Sequence, residues 1–407
     1  MENNMNELTT KPSGIRWLYL IVGSLTLLLC GILYGWSILK APLAEEFGWN
    51  PTQLALNYTI SLCGFGIGGL ASGFLSKKLS PRIRLFISAV LVFFGYLLTS
   101  RVNADGLSLM YVTYGIMTGL GIGIEYNVTI SVIGEWFPDK KGLTAGIMLM
   151  CFGFSTLIIG SIAGRLMADP AFGWRKTYVL LGVAIAIITF IFGLIIKRPS
   201  SPIPVPAGGS KAVSSATNYT AAEMVKTFRF WKLFLALTLI SCIGSVTLSF
   251  AKDFAVFAGV AETTAITLVG IASVCNGFGR IFAGTIYDHL HLLKTQWVIA
   301  AVMVIAPVCG ILAAMTGAKL LGILTLLLCG FTLGLCPVTA ALYPKIFFGE
   351  EHYPLNFSIT NLTLIPTSFA STIAGAILTA TGSYTLVYIM LLGCGAVGSA
   401  FLLWTRR

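Results

Sequence analysis

The chain has 407 residues, of which 56% are hydrophobic and 10% charged, and its formal charge is +11 at pH 7. A soluble domain carries about 25% charged residues, so this composition excludes a water-soluble globular protein and puts the chain in the integral membrane class. The basic balance does not indicate nucleic acid, because Lys and Arg collect in tails and loops on one side of the apolar segments, the asymmetry that sets orientation in a bilayer.

The first 14 residues are polar, without a short apolar core before a small-residue cleavage site, so no cleavable signal is predicted. Twelve apolar segments follow, at about 16–39, 52–76, 83–102, 107–134, 142–168, 174–197, 230–257, 263–289, 294–316, 319–345, 354–381 and 383–405. Runs of about 20 apolar residues select helices over a barrel. Between the sixth and seventh runs lies a stretch rich in Pro, Gly and Ser, including PSSPIPVPAGGSKAVSSATN, which reads as a flexible connector. The predicted fold is therefore an all-α membrane protein of twelve transmembrane helices in two pseudo-symmetric six-helix halves. Its parts are a tail (1–15), a first half (16–197), a linker (198–229) and a second half (230–405). Lys77, Lys78, Arg82 and Arg84 in one loop, with Lys197, Arg198, Lys211, Lys226 and Arg229 in another, predict a multi-pass protein of the cell (inner) membrane with both termini cytosolic.

Several chemistries find no support. The nine cysteines all fall in apolar segments without C-x-x-C or metal spacing, so they read as packing residues, and no metal, cofactor or disulfide is expected. GFGIGG (Gly64–Gly69) fits a dinucleotide fingerprint by letters alone; inside an apolar span with no preceding strand, it reads as close helix packing. Gly115, Gly119 and Gly123 read the same way. No P-loop, metalloprotease or nucleophile-elbow motif is present, so neither an enzyme nor an ATP-driven pump is expected.

Two full charges lie deep in the spans. Arg280 sits about nine residues from the cytosolic end of the eighth, or about 13 Å in at 1.5 Å per residue. An arginine at that depth costs about 2.5–3.5 kcal/mol and faces a partner or a water-filled cavity. It is either a structural arginine tied to another helix or the anchor for an organic anion, held by two parallel hydrogen bonds to a carboxylate. Asn276 lies one turn earlier on the same face, and either orients Arg280 or bonds a substrate oxygen. Glu125, in the fourth span, is expected level with Arg280. Three readings stand for it: a proton carrier, a fixed counter-ion, or a packing residue held neutral. The first two combine if Glu125 pairs with Arg280 in the empty site and takes a proton when a carboxylate displaces it. Lys252 and Asp253 read as an interfacial pair or as lining of an outer vestibule.

Two loops are related between the halves: GFLSKKLSPR (Gly73–Arg82) and GTIYDHLHLLK (Gly284–Lys294). Both resemble the loop signature of the major facilitator superfamily, in which Asp288 is the acid of a gating loop. The first copy has Lys77 in place of that acid and Ser80 in place of a glycine. EWFPDKKGLTAG (Glu135–Gly146), NGFGRIFAG (Asn276–Gly284) and LYGWS (Leu33–Ser37) are similar to the oxalate:formate antiporter and monocarboxylate transporter group, over nearly the whole chain. The resemblance implies a substrate-binding role for Arg280 and a cavity-lining role for Tyr34 and Tyr126.

The departures bear on the substrate. Where the oxalate branch carries a second cation, this chain has Thr360, Asn361, Leu362 and Thr363; Phe331 and Leu333 stand in the region of that branch's tryptophan. Asn276 and about Ile38 take the places of the aspartate and lysine used by animal-type relatives. One cation leaves a dianion under-neutralised in low dielectric, so the expected substrate is a small monocarboxylate of the lactate or pyruvate type, moved with a proton by a protein working as a monomer in membrane lipid. Anion exchange of the oxalate:formate type is the alternative. The expected substrate-binding set is Arg280, Asn276, Tyr126, Tyr34, Phe331 and Asn361, with Glu125 as the proton-coupling candidate.

Overall fold

With no water inside a bilayer, backbone N–H and C=O groups must pair within their own segment, and the apolar runs accordingly fold as helices. A computed structural model describes residues 14–76, 78–137, 141–199, 218–349 and 352–405. Twelve helices in it are long and apolar enough to cross a membrane. The first six are α1 (Ile15–Phe47), α2 (Pro51–Leu75), α3 (Pro81–Thr99), α4 (Leu107–Trp136), α5 (Ile147–Ala168) and α6 (Gly173–Ile195). The second six are α7 (Phe228–Ser249), α8 (Glu262–Ala283), α9 (Lys294–Thr316), α10 (Lys319–Phe348), α11 (Asn361–Thr381) and α12 (Tyr384–Trp404).

Their starts are written in local sequence. Asn50 caps α2 through a reciprocal pair with Gln53, Pro51 following at the first helical position. Ser80 caps α3 by accepting from the Ile83 N–H, with Pro81 at the first helical position. Gly382, with φ 64°, ends α11, and Ser383 caps α12. Between α8 and α9, where the sequence predicts a break at about 290–293, the backbone is helical from Glu262 to Thr316.

Outward-facing side chains are apolar, as Ile21, Val90, Ile187, Ile305 and Ile389 illustrate, which suits lipid as the solvent. Two buried cores form. One draws on residues between Tyr19 and Ile196, the other mainly on residues between Met224 and Leu402. Helix pairing repeats between them. In the first, α2 packs on α4 (Gly123 lies under the Phe65 carbonyl) and α3 on α6, where Phe86 stacks on Phe190 at 4.6 Å. In the second, α8 packs on α10 and α9 on α12, each matching an earlier pair six helices back.

The halves meet along two related seams. In one, α2 meets α11: Thr52 bonds Thr379 at 2.7 Å, and Thr59 bonds Thr372 at 2.8 Å and the Ser368 carbonyl at 2.6 Å. In the other, α5 meets α8, with Leu157 against Gly270 and Gly153 near the Ser273 carbonyl. Lys40 and Asp253 add an ion pair at 2.6 Å. These α2–α11 and Lys40–Asp253 contacts lie toward the end of the bundle opposite the chain termini.

The end of the connector is more ordered than its composition suggests. Residues 200–217 lie outside the described residues, but the end of the expected linker is folded. Tyr219 donates its N–H to the Phe348 carbonyl and accepts from Asn356 Nδ2, and a short helix, Ala221–Lys226, follows with a Thr220–Glu223 capping box. Those two cap hydrogen bonds hold the exposed Glu223 carboxyl below the usual carboxylate range. Lys252 and Asp253 do not pair with each other: Lys252 bonds Glu262, and Asp253 bonds Lys40. Consecutive helical residues point about 100° apart, so each finds its own partner.

Candidate functional site

One face of α8 is built for the bundle interior. Ser273 and Asn276 are each 1% exposed, whereas Phe278 and Ile281 on other faces are 59% and 52% exposed. Arg280 is one turn from Asn276 on that inner face, half-buried. Its Nε is buried without a hydrogen-bond partner, and no carboxylate among the described residues pairs with it. The Asn276 Oδ1 is likewise buried and unpartnered.

The backbone under Arg280 is held by close approach of α10. A Cβ on Gly334 would overlap the Asn276 carbonyl oxygen and come within 3.0 Å of the Arg280 nitrogen, and one on Gly279 would overlap the Phe331 carbonyl. Glycines here let two helices touch backbone to backbone.

Facing Arg280 from the first half are two phenols. Its charge acts on the hydroxyls of both Tyr34 and Tyr126. Tyr34 stands in a 3₁₀ turn, Gly31–Gly35, that interrupts α1. A Cβ on Gly31 would overlap the Phe152 carbonyl, so α1 and α5 lie in contact there, and tightened helical turns of this kind recur at functional positions. The Phe152 ring lies 5.4 Å from both Tyr34 and Tyr126, edge-on to each, and Phe65 closes the group at 5.2 Å from Tyr126. Tyr58 stands close enough to Tyr34 for their hydroxyls to interact. Phe65, Phe152 and Tyr58 were not anticipated from sequence. Tyr58 and Phe65 are spaced i, i+7 on α2, which is a faint signal that they share a face.

Among the described residues, no hydrogen bond or ring contact joins the other expected site residues to this group. The Glu125 carboxylate does not meet Arg280. It is fully buried inside the first half, where Oε1 accepts from Thr129 at 2.8 Å. Cys30 and Thr189 lie near it, but Oε2 has no formed hydrogen bond. Tyr126 faces the site, so its neighbour Glu125, about 100° around the helix, faces inward to α1 and α6. Phe331 rests on Phe282, ring centroids 5.1 Å apart, in the α8–α10 seam. Asn361 begins a 3₁₀ turn, Asn361–Thr363, that joins the short helix Tyr353–Thr360 to the rest of α11. Among the described residues, no hydrogen bond or ring contact joins Phe331 or Asn361 to Arg280, Tyr34 or Tyr126. The Asp288 side chain lies outside the described residues.

The arrangement is a cation on one half of a two-half bundle and an aromatic wall on the other, a geometry suited to binding an anion with an apolar body. Residues 25–365 match the family model of the Major Facilitator Superfamily. The chain is 25% identical over 306 residues to the oxalate:formate antiporter of Oxalobacter formigenes, covering 74% of this chain and 70% of that one. It is 23% identical over 367 residues to monocarboxylate transporter 2 of Mus musculus, covering 85% and 74%. An uncharacterized MFS-type transporter of Escherichia coli, YhjX, is 26% identical over 280 residues, covering 69% and 68%. Among solved structures, a D-xylose-proton symporter superposes with TM-score 0.71 at 18% identity, covering 94% of this chain and 97% of that one. A bacterial homolog of the human lysosomal transporter Spinster, inward-facing and occupied, superposes at 0.72 and 15% identity, covering 97% of each chain. The fold and the family match agree: this chain belongs to the major facilitator superfamily, a family of membrane transporters and not of enzymes.

Proposed function

We propose that the protein moves a small monocarboxylate of the lactate or pyruvate type across the cell membrane together with a proton, by alternating access of its two halves. In this reading both termini and the 198–229 linker are cytosolic and the working unit is a monomer. The observation that carries it is the unpaired Arg280 guanidinium opposite the Tyr34 and Tyr126 hydroxyls. A carboxylate bound to the guanidinium through two parallel hydrogen bonds would put its short apolar body against Phe65 and Phe152. Because those rings and Arg280 come from different halves, the bound anion joins the halves, and it favours a closed intermediate over either open state.

Relatives support the substrate class: one is named for monocarboxylates and one for oxalate and formate. A second reading, anion exchange, draws support from the Glu125 geometry, since no carboxyl among the described residues stands against Arg280 to trade a proton for the substrate. The deciding experiment is uptake of labelled lactate into proteoliposomes. Under symport, an inward proton gradient alone drives accumulation; under exchange, accumulation needs a preloaded internal anion. Arg280→Ala is expected to lower uptake by about 100-fold or more, consistent with loss of two charge-assisted hydrogen bonds. Wild-type uptake by that variant would remove the site from consideration.

A further inference from the structure

At the end of the bundle that carries the termini, a groove of about 540 Å³ opens between the loop before α3 and the chain leaving α6. Its lining is strongly basic: Lys78, Arg82, Lys197 and Arg198, beside Ser80 and Ile196. Arg82 is fixed there, donating to the Gly193 and Leu194 carbonyls at 3.2 and 2.9 Å, with no ion pair to an acid among the described residues. Arg198 lies 3.6 Å from Glu135, a half-exposed pair that salt and water weaken. The side chains of Lys78 and Lys197 make no hydrogen bond or ion pair among the described residues. Behind this wall lies Arg84, 1% exposed. Its Nη1 bonds Ser72, while Nε and Nη2 have no partner. Arg84 is within electrostatic reach of Arg198 and Glu135. Five cations therefore share this corner with one described carboxylate.

The groove is also level with the edge of the apolar belt. The Trp136 indole donates to the Lys197 carbonyl at 2.7 Å, and an amphipathic indole sits at the headgroup boundary of a bilayer. Directly along the α3–α6 seam from the basic lining run the exposed apolar side chains Ile83, Ile87, Ile191 and Leu194. A ligand that satisfies both parts has an anionic head and a hydrocarbon tail.

We propose that this groove binds the phosphate head of an anionic phospholipid, with an acyl chain lying on the α3–α6 seam. A soluble phosphate would use the basic lining alone and would gain nothing from Ile83, Ile87, Ile191 and Leu194; charge and apolar surface together favour the lipid.

The test uses the purified full chain in neutral detergent. Phosphatidylglycerol, phosphatidylcholine and inorganic phosphate are each titrated, and binding is followed by native mass spectrometry and by thermal unfolding. The double variant Lys78→Gln/Lys197→Gln is compared with wild type, since both side chains are exposed and their loss threatens no packing. Phosphatidylglycerol is expected to bind and raise the unfolding temperature, phosphatidylcholine to do neither, and the variant to bind phosphatidylglycerol about tenfold more weakly. Equal phosphatidylglycerol binding by variant and wild type would overturn the proposal. So would inorganic phosphate giving the same stabilisation at the same concentration, because the seam would then contribute nothing.

Discussion

Lys40 and Asp253 meet at 2.6 Å across the divide between the two halves, the lysine side chain 4% exposed and the aspartate 37%. The ammonium also lies 4.3 Å from the Phe250 ring centroid. An exposed ion pair contributes little, but this lysine has been taken out of water, and removing its carboxylate would leave a buried charge with a weak cation–π contact as its main compensation. The contact exists when the end opposite the termini is closed.

Asp253→Asn is therefore expected to shift the population toward opening at that end. Taking about 1–2 kcal/mol for a half-exposed pair, the open fraction should rise about 5–30-fold. Spin labels at Glu45 and Thr381, one on each half and both exposed, would report this in a cysteine-free background as a longer distance in double electron–electron resonance. An unchanged distance distribution would mean that the α2–α11 threonine bonds hold this end without the ion pair.

Tyr34 and Tyr126 permit a separation of roles. Replacing either by Phe keeps the ring against Phe152 and removes the hydroxyl that senses Arg280. Loss of one hydrogen bond of about 0.5–1.5 kcal/mol predicts a two- to about twelvefold weaker substrate affinity with thermal stability intact. Phe152→Ala should instead cost about 3–5 kcal/mol of stability, since its buried ring joins three others. Isothermal titration and thermal unfolding on the three variants would separate these effects.

The seam beneath the anchor can be tested by adding one carbon. Gly334→Ala places a methyl against the Asn276 carbonyl and the Arg280 backbone. Overpacking of a well-filled contact costs about 1–3 kcal/mol, and here the displaced helix carries Arg280, the proposed anchor. Lower thermal stability and weaker substrate binding are expected together. Gly73→Ala is the matched control, because nothing lies within 4 Å of a Cβ at that position.

Height in the membrane was legible from the chain, whereas rotation about each helix was not. A rise of about 1.5 Å per residue put Arg280 deep in α8, while Tyr34 and Tyr126 were singled out only by resemblance to a known family. It put Glu125 at that depth too, yet one residue of rotation turns Glu125 toward Thr129 and Tyr126 toward Arg280. Phe65 and Phe152 carry no local mark that distinguishes them from other apolar residues; their role comes from which helices pack together. The Lys40–Asp253 pair escaped notice for the same reason, as its partners come from distant parts of the chain. By contrast, the helix count and the division of the chain by a polar connector follow from apolar run length, which needs no tertiary information.

Glu125 bears on which group carries the proton under the symport reading. Its carboxyl is buried among Cys30, Thr129 and Thr189 with no cation among the described neighbours, and an ion in such a place is costly. The packing accommodates the neutral acid, so a proton held there would have to leave when the halves rearrange, if Glu125 is the carrier. Glu125→Gln keeps the shape and removes the titration. Since the residue does not touch Arg280, substrate affinity should stay within about twofold of wild type, the change expected of a site outside the contact set. Proton-driven accumulation should be lost while counterflow between anions persists. Retention of gradient-driven uptake with wild-type pH dependence would show instead that Glu125 is a packing residue, and that the proton, if one moves, travels by another group.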